Sequence, residues 1–225
     1  MLDNFYYRKD TTDEIVLKEI IEKQAYRKRK IDFKIEPDDV WLDGGSHIGF
    51  FCLYAAQNKA KKVYAYEPEQ ENYKILSENA DKIKQQYGTE IVLNNKAINQ
   101  TGGEHEFTIA PNTWRHSMLT HYKKKLPTTT IQCEAIDTIL ANNTDINCSK
   151  LEILKLDHDF NNINKLVFEY SFTKDRNMAH FFECVDKLSK YFNVDVQKSF
   201  HNQSHQGMKG YWGGFVDNII FCKKK

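Results

Sequence analysis

Neither a CxxC pair nor an apolar run approaching the ~18 residues of a membrane span occurs in this chain. Its five cysteines, Cys52, Cys133, Cys148, Cys184 and Cys222, are widely spaced and sit mostly in apolar segments, which reads as buried thiols of a reducing compartment rather than a disulfide framework. An excess of either charge is missing too. With 32 basic residues against 31 acidic ones, the chain has no strong overall field to hold a polyanion. The opening stretch MLDNFYYRKD lacks the apolar core of a signal peptide, so a cytoplasmic protein without membrane attachment is expected. No repeat and no long polar linker divides the 225 residues, and a chain of this length buries about 70% of its unfolded surface in one globular domain.

What is present is an alternation of apolar strands and helical periods. Asp13 to Tyr26 places Ile15, Leu17, Ile20, Ile21 and Ala25 at helical spacing after a Thr-Thr-Asp cap, an amphipathic helix that would pack on the domain as a lid or cover. Val40 to Asp43, Lys62 to Tyr66 and Glu90 to Leu93 read as strands. A helix apolar on all sides (Gly49 to Gln57) and a long helix with a polar face (Glu69 to Gln86) lie between them. This β-α-β-α-β order is the mark of a parallel sheet. Glu104 to Ile109 and Thr129 to Cys133 read as strands around a Lys-rich surface loop, with a short helix from Ile136 to Leu140. Leu151 to Leu156 and Lys165 to Phe172 resume the buried-strand pattern, a helix runs from about Asn177 to Phe192, and Val194 to Gln197 and Asn218 to Cys222 close the series.

The sharpest local signal is the strand Val40-Trp41-Leu42-Asp43 entering Gly44-Gly45-Ser46-His47-Ile48-Gly49, a glycine-rich turn that opens a helix. Glu67, followed by Pro68, ends the second strand, where a carboxylate can accept both hydroxyls of a ribose. A dinucleotide site would want G-x-G-x-x-G for its pyrophosphate. Here Asp43 lies in the turn, repels phosphate and suits the ammonium group of a methionine, so S-adenosylmethionine is the expected ligand, with S-adenosylhomocysteine as product. Ser46 and His47 would lie beside it, although a hydrogen-bonded turn histidine explains His47 equally well.

These motifs resemble the FkbM-type methyltransferase family along nearly the full chain. The resemblance rests on Phe5 and Arg8 with a Thr-x-Asp helix start, Asp43 to Gly49, Glu67-Pro68 with Asn72 and Leu76 behind it, and Asn95-Lys96-Ala97-Ile98. It continues through Trp114 to Leu119, Ile136 to Leu140, Leu154-Lys155-Leu156-Asp157 and Val167 to Ser171. It implies an α/β fold with a Rossmann-like seven-stranded methyltransferase sheet, mostly parallel with the last strand antiparallel, with helices on both faces. Residues 1–36 would form the helical cover and 37–225 the catalytic domain. It also implies O-methylation of a sugar or similar hydroxyl, and a cofactor site of Asp43, Gly44, Gly45, Ser46, His47, Gly49, Glu67, Pro68, Asn95, Ala97 and Asp157. One departure stands out. The family follows its Lys-x-Asp strand with a Glu-Gly-x-Glu turn and a helix, whereas only His158 to Asn164 separates Asp157 from the next strand here, fewer than the dozen or so residues of a usual parallel crossover.

Methyl transfer to oxygen needs positioning and a base for the hydroxyl proton. Strand ends on the carboxyl side of an open sheet form the ligand crevice, which directs attention to Asp157 and Glu169, each set against a purely structural carboxylate. His158 and His116 are further candidate bases. Asp157 and Asp159 are the candidates for a divalent cation, which is left open without being predicted. Trp114, Arg115 and Ser117 in the long loop, and His201, His205 and Trp212 in the Gly- and His-rich segment Phe200 to Gly214, could line an acceptor pocket, or simply be surface loop residues.

The expected partner is a small-molecule or glycan acceptor, with no nucleic acid and no membrane; a homodimer is left open. Two alternatives stand beside it. An RNA (ribose or cap) methyltransferase would want a basic stripe, and Lys123 to Lys125 is too short to supply one. A catalytically silent S-adenosylmethionine-binding subunit is suggested by the shortened segment after Asp157. An NAD-binding dehydrogenase ranks behind both.

Overall fold

The computed structural model describes residues 5–109, 126–151, 161–171, 178–198 and 217–225. The chain divides into two compact units, the first made of Met1–Ala25 and Ile35–Ile146, the second of Tyr26–Lys34 and Asn147–Lys225.

In the first unit, β1 (Val40–Gly44), β2 (Lys62–Tyr66) and β3 (Glu90–Asn94) pair in parallel in the order β3-β2-β1, with Gly44 opposite Tyr66 and Tyr66 opposite Asn94. Every residue of β1 is buried, as expected of a parallel strand covered on both faces. Helix α2 (Phe50–Gln57) buries each residue from Phe50 to Ala56. Helix α3 (Gln70–Tyr87) buries one stripe, Asn72, Leu76, Asn79, Ala80 and Ile83. It starts where the Glu69 side chain accepts the N–H groups of Glu71 and Asn72, and stops at Gly88, whose φ of 77° a glycine takes without strain.

The predicted N-terminal helix is shorter than its apolar period. Helix α1 covers Asp13–Leu17 and passes into a π-helical turn over Lys18–Glu22, where Lys23 N–H bonds Lys18 C=O at 2.9 Å. The widened turn re-phases the buried face onto Leu17, Ile20 and Ala25 and leaves Ile15 47% exposed. The expected threonine cap also differs. Thr12 makes no side-chain capping bond; Thr11 Oγ1 accepts the Asp13 N–H at 3.2 Å, and the Asp13 carboxylate turns back to Arg8.

A small sheet not foreseen as a separate layer follows β3. Strands β4 (Ala97–Asn99), β5 (Gly103–Thr108) and β6 (Thr128–Ala135) order as β4-β6-β5 around a core of Ala97, Phe107, Ile131 and Cys133. Strand β4, only three residues, escaped the sequence reading because it has too few positions to show a period. Helix α4 (Ile136–Asn142) then buries Ile136 and Ile139.

In the second unit, β7 (Cys148–Leu151) runs parallel to β8 (Lys165–Ser171), Cys148 facing Lys165. Strand β7 thus begins upstream of the predicted Leu151, while the segment after it lies outside the described residues. Helix α5 (Met178–Ser189) leads to β9 (Phe192–Lys198), and β10 (Asp217–Lys224) is antiparallel to both β8 and β9, giving the order β7-β8-β10-β9. The seven strands β1–β3 and β7–β10 make the mostly parallel sheet expected from the sequence, with the last strand reversed. All five cysteines are buried, and none forms a disulfide. Among the described residues no helix is long and apolar enough to cross a membrane.

Candidate active site

The parallel register of β1 and β2 brings Asp43 and Glu67 to neighbouring carboxyl ends, where open α/β sheets bind ligands. Between them the chain makes the glycine turn, with Gly45 at φ 73° and Gly49 at φ 98°. At Gly49 a Cβ would also come within 3.0 Å of Leu76 Cδ1, so this glycine lets the turn close onto α3.

Asp43 is fully buried, and Cys52 Sγ donates to its Oδ2 at 3.8 Å. Ser46 Oγ donates to Asp43 C=O at 3.0 Å. Glu67, 5% exposed, accepts the His47 N–H on Oε2 at 2.8 Å and the Glu69 N–H on Oε1 at 3.0 Å. Asn95 Nδ2 donates to the carbonyls of Glu67 and Pro68 at 2.9 and 3.3 Å, so it braces the Glu-Pro corner. The Tyr66 phenol at the end of β2 is pushed up by burial, then by the Glu134 charge, and remains a neutral O–H.

His47 has φ 53°, uncommon for a residue carrying a Cβ. Its Nε2 lies 3.1 Å from Arg8 Nη2 and 3.3 Å from Asp13 Oδ1. Arg8 holds Asp13 through Nε (2.8 Å) and Nη2 (3.1 Å) and reaches Asn72 Oδ1 at 2.8 Å. Burial pushes the Asp13 carboxyl up, but hydrogen bonds with His47 and Arg8 and the His47 charge outweigh it and hold Asp13 well below the usual carboxylate range.

The structure thus brings together Asp43, Gly44, Gly45, Ser46, His47, Gly49, Glu67, Pro68 and Asn95. The Ala97 side chain packs in the core of the small sheet. Glu169, partly buried, lies within β8 opposite Ile219, two residues before the strand ends. Trp114, Arg115, His116, Ser117, Asp157, His158, Asp159, His201, His205 and Trp212 lie outside the described residues. Asn79 was not singled out as a site residue from the sequence, nor were Arg8, Asp13 and Asn72, although these three belong to the motifs that carry the family resemblance. A single arginine and aspartate in a short N-terminal segment give no spacing that points to a turn so far along the chain.

The arrangement also decides what the turn can hold. A pyrophosphate needs uncommitted backbone donors. Here Gly45 N–H and Ser46 N–H both bond Tyr66 C=O (3.0 and 2.9 Å), Gly49 N–H bonds Ser46 C=O (2.9 Å), and His47 N–H bonds Glu67. A carboxylate oxygen accepts more than one hydrogen bond, so the Glu67 carboxylate has the chemistry to receive the two hydroxyls of a ribose. Two acids beside these four committed amides suit a nucleoside joined to an ammonium group.

The sheet and the two acids at its strand ends fit an S-adenosylmethionine-dependent methyltransferase. The family model described as "Methyltransferase FkbM domain" matches residues 43–159, more than half of the chain, and the chain belongs to that family. Among solved structures the chain is similar to an FkbM methyltransferase of Methylobacillus flagellatus KT (11% identity, 84% of this chain and 44% of that one, TM-score 0.49). It is also similar to TYW2 of M. jannaschii in complex with AdoMet (14%, 100% and 80%, 0.45) and to an rRNA methylase of Streptococcus thermophilus (9%, 97% and 99%, 0.47). No curated protein matches the sequence.

Proposed function

We propose that this methyltransferase transfers the methyl group to a hydroxyl oxygen of a sugar, glycan or similar small acceptor. The observation that carries the donor half of the reading is the pair of acids, Asp43 and Glu67, at adjacent strand ends around a turn in which the amides of Gly45, Ser46, His47 and Gly49 have protein acceptors. When bound, S-adenosylmethionine supplies an electrophilic methyl group. Asp43 takes the ammonium group, and Glu67 takes the ribose hydroxyls. On the acceptor side, the carboxylate of Asp157 or the imidazole of His158 takes the proton of the acceptor O–H. The near balance of basic and acidic residues supports a small acceptor over a polyanion. The five buried thiols, none of them in a disulfide, support a cytoplasmic location.

Isothermal titration with S-adenosylmethionine tests the donor half. Asp43→Asn and Glu67→Gln are each expected to weaken binding about tenfold or more, since each alters a buried charged partner. Glu67→Gln is preferable to alanine because its carbonyl keeps one of the two backbone bonds that close the turn. Asp157→Asn is expected to bind the donor normally and turn over about a hundredfold or more slower. Mass spectrometry of a sugar and glycan panel against mixed RNA tests the acceptor. Methyl incorporation into RNA alone would overturn the small-acceptor reading.

A further inference from the structure

The segment Phe5–Asp13 lies against the glycine turn. The Phe5 ring packs on Phe50 at 5.2 Å between centroids. Asn79, fully buried on α3, accepts Tyr6 N–H and donates to the carbonyls of Tyr6 and Ile48, each at 2.9 Å, tying the segment to the turn from below. Arg8 comes to rest between His47 of the turn and Asn72 in the first turn of α3. That position lies at the carboxyl edge of β1 and β2, on the ligand side of the sheet.

The guanidinium is committed on one side only. Nε and Nη2 serve Asp13, His47 and Asn72, while Nη1 donates to none of the described residues. The side chain is 21% exposed, so the fork is fixed at one edge and reachable at the other. S-adenosylmethionine carries a carboxylate beside its ammonium group. The two acids of the site cannot receive that carboxylate, and the amides of Gly45, Ser46, His47 and Gly49 already have acceptors. The cation that the hydrogen-bond network delivers to this turn is Arg8.

We propose that Arg8 Nη1 binds the carboxylate of the methyl donor, which makes the N-terminal segment a wall of the cofactor site and Arg8 a specificity residue for an amino-acid-bearing nucleoside. The inference rests on the assignment of the turn to the donor. Asp13 acts as the positioning residue: it holds Nε and Nη2 and so aims the remaining edge of the fork.

The test compares S-adenosylhomocysteine with decarboxylated S-adenosylhomocysteine, which keeps the adenosyl group and the amine, by titration against the full chain. The wild-type protein is expected to bind the carboxylate form about ten- to a hundredfold more tightly, the span of a charge-assisted hydrogen bond. Arg8→Met, which keeps the apolar stem, is expected to bring the two affinities to within about twofold by weakening only the carboxylate form. Arg8→Lys is expected to restore part of the ratio. If Arg8→Met does not fold, Arg8→Lys alone must show a ratio smaller than wild type. Equal wild-type affinities for the two ligands overturn the proposal while leaving the donor site in place. Parallel weakening of both ligands in Arg8→Met overturns it in favour of a structural role. Failure of the wild-type protein to bind either ligand overturns the donor-site assignment itself.

Discussion

Helices α2 and α3 belong to the same unit and pack against each other, yet they are sealed in opposite ways. Helix α2 is apolar around its whole circumference and is covered by the chain's own beginning: Phe5 stacks on Phe50, and the π-helical turn Lys18–Glu22 packs against it. Helix α3 keeps a polar face in water and spends part of its buried stripe on two asparagines, Asn72 and Asn79, which hold that same beginning in place. A helix buried on every side needs a cover, and the Phe5–Asp13 part of this cover is held by polar anchors as well as by the Phe5 ring. The comparison therefore explains why amides sit at core positions of α3, where leucine would ordinarily pack better.

Four substitutions would break or sharpen this contrast. Phe51 on α2 is almost fully buried and meets Trp41 edge-on at 5.2 Å, so Phe51→Ala should cost about 3–5 kcal/mol in urea unfolding, the largest effect of the set. Asp13→Asn removes the buried partner of Arg8. Because Arg8 stays partly in solvent, about 2 kcal/mol at neutral pH is expected rather than the full loss from breaking a buried pair. The pH dependence has a definite sign. The folded Asp13 carboxyl lies below its unfolded value of about 4, so its contribution is complete above that pH and fades as pH falls towards the lowered value. Stability of Asp13→Asn should thus fall less steeply on acidification below about pH 4 than that of wild type, and parallel acid limbs would refute the pairing. Asn79→Ala leaves the Tyr6 N–H and two carbonyls unpaired and should cost about 1–3 kcal/mol, with faster proteolysis near Tyr6. On the water face of α3, Lys74→Ala breaks an exposed contact with Glu71 and should leave the melting temperature unchanged.

The all-apolar Phe50 to Ala56 and the striped Asn72 to Ile83 were both legible from the sequence, since helix burial writes itself into spacing. So were the two acids, because strand ends and glycine turns fix where side chains go. Of the anchors, Arg8, Asp13 and Asn72 were legible only as family motif residues, and Asn79 not at all. Arg8, Asp13 and Asn72 meet through tertiary contact across a long stretch of chain, and nothing in local periodicity records which turn an N-terminal arginine will reach. The early end of α1 was hidden for a related reason: a π-helical turn is chosen by the surface it must cover, while Ile15 reads as core on any helical wheel. Glu67 illustrates an intermediate case. Its place was predictable, but its second duty, fastening His47 and Glu69 by their backbones, depends on a fold already formed.

The short stretch Tyr26–Lys34 belongs to the second unit although the residues on both sides of it belong to the first. Within that unit Lys28 donates to Gln197, Lys30 pairs with Asp195 at 3.1 Å, and Lys223 pairs with Asp32 at 2.7 Å. A nascent chain emerging from a ribosome would present this stretch long before its partners exist, so it must wait, unpaired, until β9 and β10 have been synthesised. Maturation of the second unit is therefore a late, non-local event, and chains stalled before β10 are the ones that quality-control proteases should find.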